Sequence, residues 1–271
     1  MKIKLLAPLF ALLLLAGCAE DETNVVEPTP EPENLCYLQE QTTTSQNGVS
    51  TLRYTYNELN QVIRTEQYEQ EVLVAIRTYT YTAAGKLAEE RLLKPDGQEE
   101  VSFTEYSYNQ EGLLSKYEVK QQVPGLEAVH RLAAFKAVYD MQNRLTSATD
   151  YLYLNNKEQS NGSLKQTYKT NKPVSATVVT ADASTYTATF VQDSSRAPLS
   201  AVQQYLHRRP GIAYPSINNI TAFNATSDGE AVADISYTVT YERNEQGYPV
   251  SATKIFNNTA EEKTTYTYSC P

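Results

Sequence analysis

The chain contains no tryptophan, only two histidines and only three cysteines among its 271 residues. It has no Cys-x-x-Cys pair, no His-Glu-x-x-His motif and no aspartate-rich calcium loop, so no sequence-local metal site is predicted. A glycine-rich phosphate loop and the Gly-x-Ser-x-Gly turn of serine hydrolases are also missing. Lone histidines such as His130 and His207 are more often surface or structural residues than catalysts. We therefore expect no cofactor and no enzymatic activity.

Basic residues are scarce, with 23 lysines and arginines against 32 acidic residues and a net charge of −9. Because nucleic-acid binding requires a basic face, nucleic acid is not an expected partner. Adjacent carboxylates occur at Glu89-Glu90, Glu99-Glu100 and Glu261-Glu262. Neighbours on a strand face opposite sides, so we expect each pair to solvate a surface and not to form a catalytic dyad. A dyad assembled from distant strands is the alternative.

The sequence lacks a hydrophobic run long enough to cross a membrane. The apolar run 5–15 has 11 residues and includes Pro8, whereas a spanning helix needs about 20. It follows two lysines and precedes Ala16-Gly17-Cys18, the order of a bacterial secretion signal. These residues resemble the lipobox of bacterial lipoproteins. The resemblance implies that residues 1–17 are a cleaved signal peptide and that Cys18 carries the lipid, including palmitate.

Residues 18–34 combine the acidic run Glu20-Asp21-Glu22 with prolines that alternate with threonine and glutamate. Such a segment cannot bury a core, so we predict an extended tether. An acidic run after a lipidated cysteine resembles the surface-export signal of lipoproteins in the Bacteroidota. It implies a lipid-anchored protein of the bacterial outer membrane that is exposed at the cell surface, with the membrane as a partner through the anchor. A solvated linker on a periplasm-facing protein is the alternative.

Two cysteines remain, Cys36 and Cys270, at the two ends of the part of the chain that can fold. In an exported protein they are expected to form a disulfide, which would stabilise the fold by ~5 kcal/mol in the chain-entropy model. Such a bond requires the first and last strands to lie side by side. We predict a single all-β domain over residues 35–271.

A tyrosine-rich unit repeats from residue 50 onward. Tyr54-Thr55-Tyr56-Asn57 is followed by Tyr79-Thr80-Tyr81-Thr82 and by Tyr106-Ser107-Tyr108-Asn109, with weaker copies at residues 139–143, 168–171 and 241–247. The turn centres Asn60, Gly85, Gly112 and Asn143 are 25, 27 and 31 residues apart. A recurrent period of this size is typical of a repeat architecture.

Each unit predicts a β-hairpin. Tyrosines at i and i+2 lie on one face of a strand, Asn or Asp after them starts a turn, and Gly or Asn three residues later adopts the left-handed conformation. About 14 to 16 strands fit between residues 50 and 269. The stretch 126–134 could be helical, although Val129–Tyr139 is equally consistent with a strand.

So many strands must curl, close or split, and a cysteine pair joining the ends favours one large closed or nearly closed antiparallel sheet. A two-sheet sandwich is the alternative. A transmembrane barrel is less well supported, because one face of the strands mixes Thr, Glu, Gln, Lys and Arg and offers no apolar band.

The Tyr-x-Tyr-Asn-x-x-Gly-x-Leu units resemble the YD (RHS-type) repeats, and the whole layout resembles cell-surface lipoproteins of the Bacteroidota that have no known activity. The resemblance spans roughly residues 50–270 and implies a secreted array of β-hairpins. Units between residues 168 and 206 are degenerate, and the segment 207–230 breaks the period.

The break in the repeat holds the candidate binding loop, in which a basic cluster stands in an acidic chain. Arg208 and Arg209 could bind a carboxylate or phosphate of a partner, with His207 and Tyr214 beside them. A solvated loop that covers one end of the sheet is the alternative. The 21 tyrosines suit cross-strand packing better than a glycan platform, since such platforms rely on tryptophan.

These observations together predict a membrane-anchored cell-envelope lipoprotein with a binding or structural role. Its partner would be a glycan or a protein at the cell surface. The alternative is a glycan-handling accessory protein, or a hydrolase whose site comes from distant strands.

Overall fold

The computed structural model describes residues 35–122, 129–169, 172–202 and 218–270, and every regular element in these ranges is a β-strand. No helix long and apolar enough to cross a membrane occurs in them. The strands are β1 (Tyr37–Ser45), β2 (Gly48–Tyr56), β3 (Val62–Glu69), β4 (Val72–Tyr81), β5 (Leu87–Leu93), β6 (Glu100–Tyr108), β7 (Leu114–Gln122), β8 (Val129–Tyr139), β9 (Leu145–Leu154), β10 (Lys157–Lys169), β11 (Lys172–Val179), β12 (Thr185–Arg196), β13 (Asn218–Ser227), β14 (Glu230–Ala231), β15 (Tyr237–Arg243), β16 (Pro249–Phe256) and β17 (Glu261–Ser269).

The strands form one closed antiparallel barrel. Each strand except β14 pairs with the next along the chain, β13 pairs with β15, and β1 pairs with both β2 and β17. Sixteen strands complete the ring, and the two-residue β14 adds to β13 only. The predicted closed sheet is therefore confirmed and the two-sheet sandwich is wrong, because no free edge separates two sheets. The sequence alone did not decide between a helix over residues 126–134 and a strand over Val129–Tyr139. The structure has a strand there, β8, from Val129 onward.

A disulfide marks one rim of the barrel, which we call the disulfide rim. Cys36 and Cys270 are bonded, with their Cα atoms 4.3 Å apart, and β1 and β17 lie side by side as this pairing requires. Strands alternate in direction, so those predicted turns of the repeat that the structure describes lie at this rim. The strands that run toward it, called descending strands below, are β2, β4, β6, β8, β10, β12, β15 and β17.

The turns at the disulfide rim have the predicted chemistry. The backbone N–H groups of Leu59 and Gln61 donate to Asn57 Oδ1 over 3.0 and 2.9 Å. Asn60 closes the turn in the left-handed region at φ 56°. Most side chains are disfavoured there, but Gly has no Cβ and Asn tolerates this conformation, so these two residues recur at this position. The equivalent left-handed residues in the other turns are Gly85, Gly112, Asn143 and Gly247.

The repeat tyrosines tie neighbouring hairpins together. Near the end of a descending strand a tyrosine points inward, and its hydroxyl donates to a backbone carbonyl near the start of the neighbouring strand that precedes it in the ring. Because the donor is a side chain, the bond adds to the ladder of backbone hydrogen bonds between the two strands. The seven bonds, 2.6 to 3.0 Å long, are Tyr56 to Leu38, Tyr81 to Val62, Tyr108 to Leu87, Tyr139 to Leu114, Tyr168 to Leu145, Tyr241 to Ile220 and Tyr268 to Pro249.

Strand alternation places the apolar clusters on the inside of the barrel and charged side chains on the outside. On β2, Tyr54 is 6% exposed, whereas its neighbours Arg53 and Thr55 are exposed. Buried side chains form three clusters around the inner wall. The first contains Leu38, Tyr54, Val62, Tyr79, Leu87, Leu199 and Val202; the second Ala176, Ala188, Phe190, Phe223 and Ala225; the third Leu114, Tyr117, Phe135, Leu145 and Ala148.

Candidate functional site

The inner wall carries a polar network between β3 and β6. Arg77 Nε lies 3.1 Å from Glu90 Oε1, and the Tyr106 hydroxyl donates to Glu90 Oε2 over 3.0 Å. Arg77 also donates to Gln67 Oε1 at 3.5 Å. Register places these residues inside, because Arg77 is cross-strand partner to Thr65 and Glu90 to Tyr79, both of which are buried.

This network corrects one expectation from the sequence. Glu90 is 9% exposed and lies inside the barrel, so it does not simply solvate a surface. Its neighbour Glu89 pairs with Arg91 on the opposite face, so the two adjacent carboxylates do not form a dyad. Glu261 and Glu262 also lie on opposite faces of the sheet. Glu261 pairs with Lys263, and Glu262 pairs with Lys254.

A cavity of about 310 Å³, which we call the Arg77 cavity, lies against the inner faces of β1 to β4. Polar side chains dominate its lining: Gln41, Thr43, Ser50, Thr65, Gln67 and Arg77. Leu52 and Tyr79 supply apolar surface. Three hydrogen bonds hold the polar groups in place. They join Thr43 Oγ1 to Thr264 Oγ1 at 3.0 Å, Thr65 Oγ1 to the Tyr79 hydroxyl at 3.1 Å, and Gln67 Nε2 to Glu69 Oε1 at 2.9 Å.

A second cavity, of about 300 Å³, lies between β8–β12 and β13 and is mainly apolar. Phe135, Tyr186 and Phe223 contribute rings to its wall, and Asp150 contributes a carboxylate. A bulge in β10, between Ser160 and Ser163, brings its backbone to the same space. The cavity therefore differs in chemistry from the Arg77 cavity, although its volume is similar.

The chain enters the barrel after β12. Residues 197–202, which we call the lumenal segment, leave the wall at the disulfide rim. Leu199 and Val202 are 6% and 4% exposed and belong to the same cluster as Leu38, Tyr54 and Val62. Because those partners point inward, the lumenal segment fills part of the interior at this rim.

The candidate binding residues His207, Arg208, Arg209 and Tyr214 lie outside the residues that the structure describes, as does the lipidation residue Cys18. His130 is exposed on β8.

The strands on either side of the candidate loop are fixed by polar contacts. Arg243 Nη2 donates to Asp193 Oδ2. The Asn219 amide, 3% exposed, donates to Asp193 Oδ1 over 3.2 Å and to the Arg196 carbonyl over 3.1 Å. Arg196 in turn donates to the Tyr248 hydroxyl over 3.2 Å. The loop therefore leaves from and returns to a wall held by side chains of β12, β13, β15 and the turn before β16.

Burial keeps the repeat tyrosines protonated. Desolvation raises the pKa of Tyr108 to about 12, and desolvation together with neighbouring tyrosines raises the pKa of Tyr139 to about 12. The pKa values of Tyr241 and Tyr268 are raised for the same reasons. Each phenol is thus a hydrogen-bond donor across the physiological range.

Sequence reasoning missed the inward polar residues Gln41, Gln67, Arg77 and Glu90. The alternation of side chains along a strand was the available signal, since Gln67 is two residues from the buried Thr65 and Arg77 is two residues from the buried Tyr79. The pairing of Arg77 with Glu90 depends on the register between β4 and β5, and no local sequence motif specifies that register.

Solved structures of similar fold are porin-like proteins from Bacteroides. One, from Bacteroides uniformis ATCC 8492, has a TM-score of 0.57 and 15% identity, with 88% of this chain and 99% of that chain covered. Another, from Bacteroides vulgatus ATCC 8482, has a TM-score of 0.52 and 10% identity, with 87% and 99% covered. At these identities the likeness concerns the fold. No protein-family model matches the sequence, and no curated protein is significantly similar to it.

Proposed function

We propose that the mature protein is a lipoprotein of a bacterial outer membrane. Cys18 carries the anchor, residues 18–34 are the tether, and the barrel of residues 35–271 stands in water beside the membrane and binds a partner there. The porin-like neighbours support an outer-membrane association, since they share the closed barrel. The resemblance of the tyrosine units to YD repeats supports an exported protein of the cell surface.

The polar outer face of the barrel carries this proposal. A barrel that spans a membrane needs an apolar outward band about 25 Å tall, and a lysine or arginine facing lipid at midplane costs ~2–4 kcal/mol. Here outward positions hold Arg53, Lys116 and Lys136, paired with Glu40, Glu118 and Glu158 respectively. A face of this kind is stable in water and unstable in hydrocarbon.

A charged residue in the middle of a strand supports the same conclusion. Glu118 lies on the outer surface of β7, four residues from either end of the strand, and pairs with Lys116. Side chains near a strand end could reach the lipid headgroups, but the Glu118 carboxylate would lie within the bilayer core of a spanning barrel. The anchor, and not the barrel, is therefore the part that we propose to contact lipid.

The interior favours binding over conduction. The lumenal segment fills part of the inside at the disulfide rim, and the rest of the described interior is lined by clusters and two cavities. We also expect binding and not catalysis, because three of the inward carboxylates are held in ion pairs: Glu90 with Arg77, Glu262 with Lys254 and Asp193 with Arg243.

Fractionation of cells tests the anchor. Cys18→Ala, expressed behind a signal peptide cleaved by the general signal peptidase, should move the protein from the membrane pellet to the soluble periplasm or medium. Ala19→Ser behind the native leader should stay in the pellet and incorporate labelled palmitate. A Cys18→Ala protein that resists extraction from the membrane by alkaline carbonate would show a spanning barrel and overturn the proposal.

A further inference from the structure

We propose that the Arg77 cavity binds a small uncharged saccharide, one or two rings in size. This inference deepens the proposed binding role by naming the site and the ligand class. It does not depend on how the protein is anchored.

The size of the cavity limits the ligand. At about 310 Å³ it lies at the small end of the range for ligand sites, roughly 300–1,000 Å³. Its walls come from four consecutive strands of the closed barrel, joined by continuous antiparallel pairing. Since binding sites on strands are held more rigidly than sites on loops, the lining is preorganised.

The charges around the cavity argue against an anion. Arg77 is neutralised by Glu90, whose carboxylate lies 3.1 Å away. A second carboxylate, Glu69, accepts hydrogen bonds from Ser50 Oγ at 3.0 Å and from Gln67 Nε2 at 2.9 Å. One cation between two carboxylates leaves the surroundings net negative, so an anionic ligand would be repelled.

The polar lining suits hydroxyl groups. Gln67 has a second amide N–H beside the one bound to Glu69, and Thr43 and Ser50 keep hydroxyl lone pairs beside their bonds to Thr264 and Glu69. Gln41 adds an amide N–H₂ and a carbonyl. A saccharide hydroxyl donates and accepts, so it can bond to any of these groups. A purely apolar ligand would displace water from this remaining hydrogen-bonding capacity without replacing it, which costs binding energy.

The remaining surface suits the carbon face of a sugar ring. Leu52 and Tyr79 line the cavity beside the polar groups, and the Tyr79 hydroxyl is already bound to Thr65. The tyrosine therefore presents mainly its ring to the cavity, and an aromatic ring packs well against C–H groups.

Saturation-transfer NMR and titration calorimetry on the purified full-length protein test the proposal. The neutral probes are glucose, galactose, N-acetylglucosamine and cellobiose, and the charged comparators are glucuronate and glucosamine. We expect saturable binding of at least one neutral sugar and weaker binding of glucuronate than of glucose. Absence of binding by all four neutral sugars, or a preference for glucuronate, would overturn the assignment.

Variants locate the site. Gln67→Leu keeps the volume of the side chain but removes its amide, and should weaken binding roughly tenfold, the effect of one unpaired polar group. Thr43→Val should weaken binding as well, whereas Thr42→Val should not. The two threonines are matched, since each makes one 3.0 Å hydroxyl–hydroxyl bond to a neighbouring strand, Thr43 inside and Thr42 outside.

The outcomes separate this inference from the proposed anchor. Melting curves identify a variant that fails to fold, and Thr43→Val remains informative if Gln67→Leu does so. Equal sugar affinity in Thr43→Val, Thr42→Val and the unmodified protein would place binding elsewhere and overturn the inference. Cys18→Ala should bind the sugar as the unmodified protein does, so a failure of anchoring and a failure of binding are read independently.

Discussion

Seven descending strands and the eighth, β12, reach the disulfide rim in different ways. The seven carry a tyrosine near their end whose hydroxyl binds a carbonyl near the start of the preceding strand of the ring. β12 has no tyrosine at this end and finishes at Arg196, after which the chain enters the barrel. There the contacts of Asp193, Arg243 and Asn219 hold the wall instead.

The difference shows what the repeat does. Where the tyrosine is present, the chain turns tightly and continues in the wall. Where the tyrosine is absent, at β12, side chains from strands far apart in sequence hold the wall. The chain then leaves the wall and forms the lumenal segment. The junction of β17 with β1 is the other place without a hairpin, and it is closed by the disulfide.

Removing the disulfide should have the largest effect, because it breaks the barrel at the junction that has no turn. Cys36→Ser/Cys270→Ser should lower the free energy of unfolding by about 5 kcal/mol, as the chain-entropy model gives for a cross-link that closes a long loop. Urea unfolding measures the change, and reduction of the unmodified protein should reproduce it. A loss below about 1 kcal/mol would mean that the β1–β17 ladder closes the barrel unaided.

Shortening a buried side chain of the lumenal segment should have the next largest effect, because the packing of this segment takes the place of the tyrosine bond at β12. Leu199 is 6% exposed, and Leu199→Ala should cost about 3 kcal/mol through lost burial and the cavity that remains. Leu59 is its matched control, a leucine in a regular turn of the same rim that is 77% exposed. Leu59→Ala should change the unfolding free energy by less than about 0.5 kcal/mol. Equal costs for the two would contradict the placement of Leu199 inside the barrel.

Removal of a single repeat hydroxyl should have a moderate effect. Tyr81→Phe leaves the Val62 carbonyl without its 2.7 Å partner and should cost about 1–2 kcal/mol in urea unfolding. Tyr68, on the outer face, donates to Glu66 over 2.9 Å. Because water can replace that bond, Tyr68→Phe should cost less than about 0.5 kcal/mol. A larger loss at Tyr68 than at Tyr81 would refute the role assigned to the repeat.

The repeating part of the barrel could be predicted from sequence for a physical reason. Its signals are local: Asn57 and Asn60 specify their turn within four residues, and the alternation of Tyr54 with Tyr56 specifies the inner face. The cysteine spacing then predicted closure, because Cys36 and Cys270 can meet only if the ends of the sheet do.

The polar interior and β12 could not be predicted in the same way. The contacts of Arg77 with Glu90 and of Asn219 with Asp193 join residues 13 and 26 positions apart, so they depend on registers and bulges that no motif encodes. In the sequence, Arg243 marks a departure from the tyrosine motif. In the structure it binds Asp193, so the departure is itself a contact that supports β12.

The contribution of the repeat tyrosines to stability at alkaline pH should produce the smallest difference between variants. An unfolded tyrosine ionises near pH 10, whereas the pKa of Tyr108 and of Tyr139 is about 12 in the folded chain. Between these values unfolding releases protons, so the stabilisation is complete below about pH 10 and is lost as the pH rises toward 12.

Tyr108→Phe/Tyr139→Phe removes two such groups and should raise the midpoint of alkaline unfolding by a few tenths of a pH unit, once each protein is normalised to its stability at neutral pH. Circular dichroism as a function of pH measures the midpoint, and Leu59→Ala, which changes no titrating group, should leave it in place. A midpoint that falls in the double variant would show that tyrosine ionisation does not drive the loss of the fold.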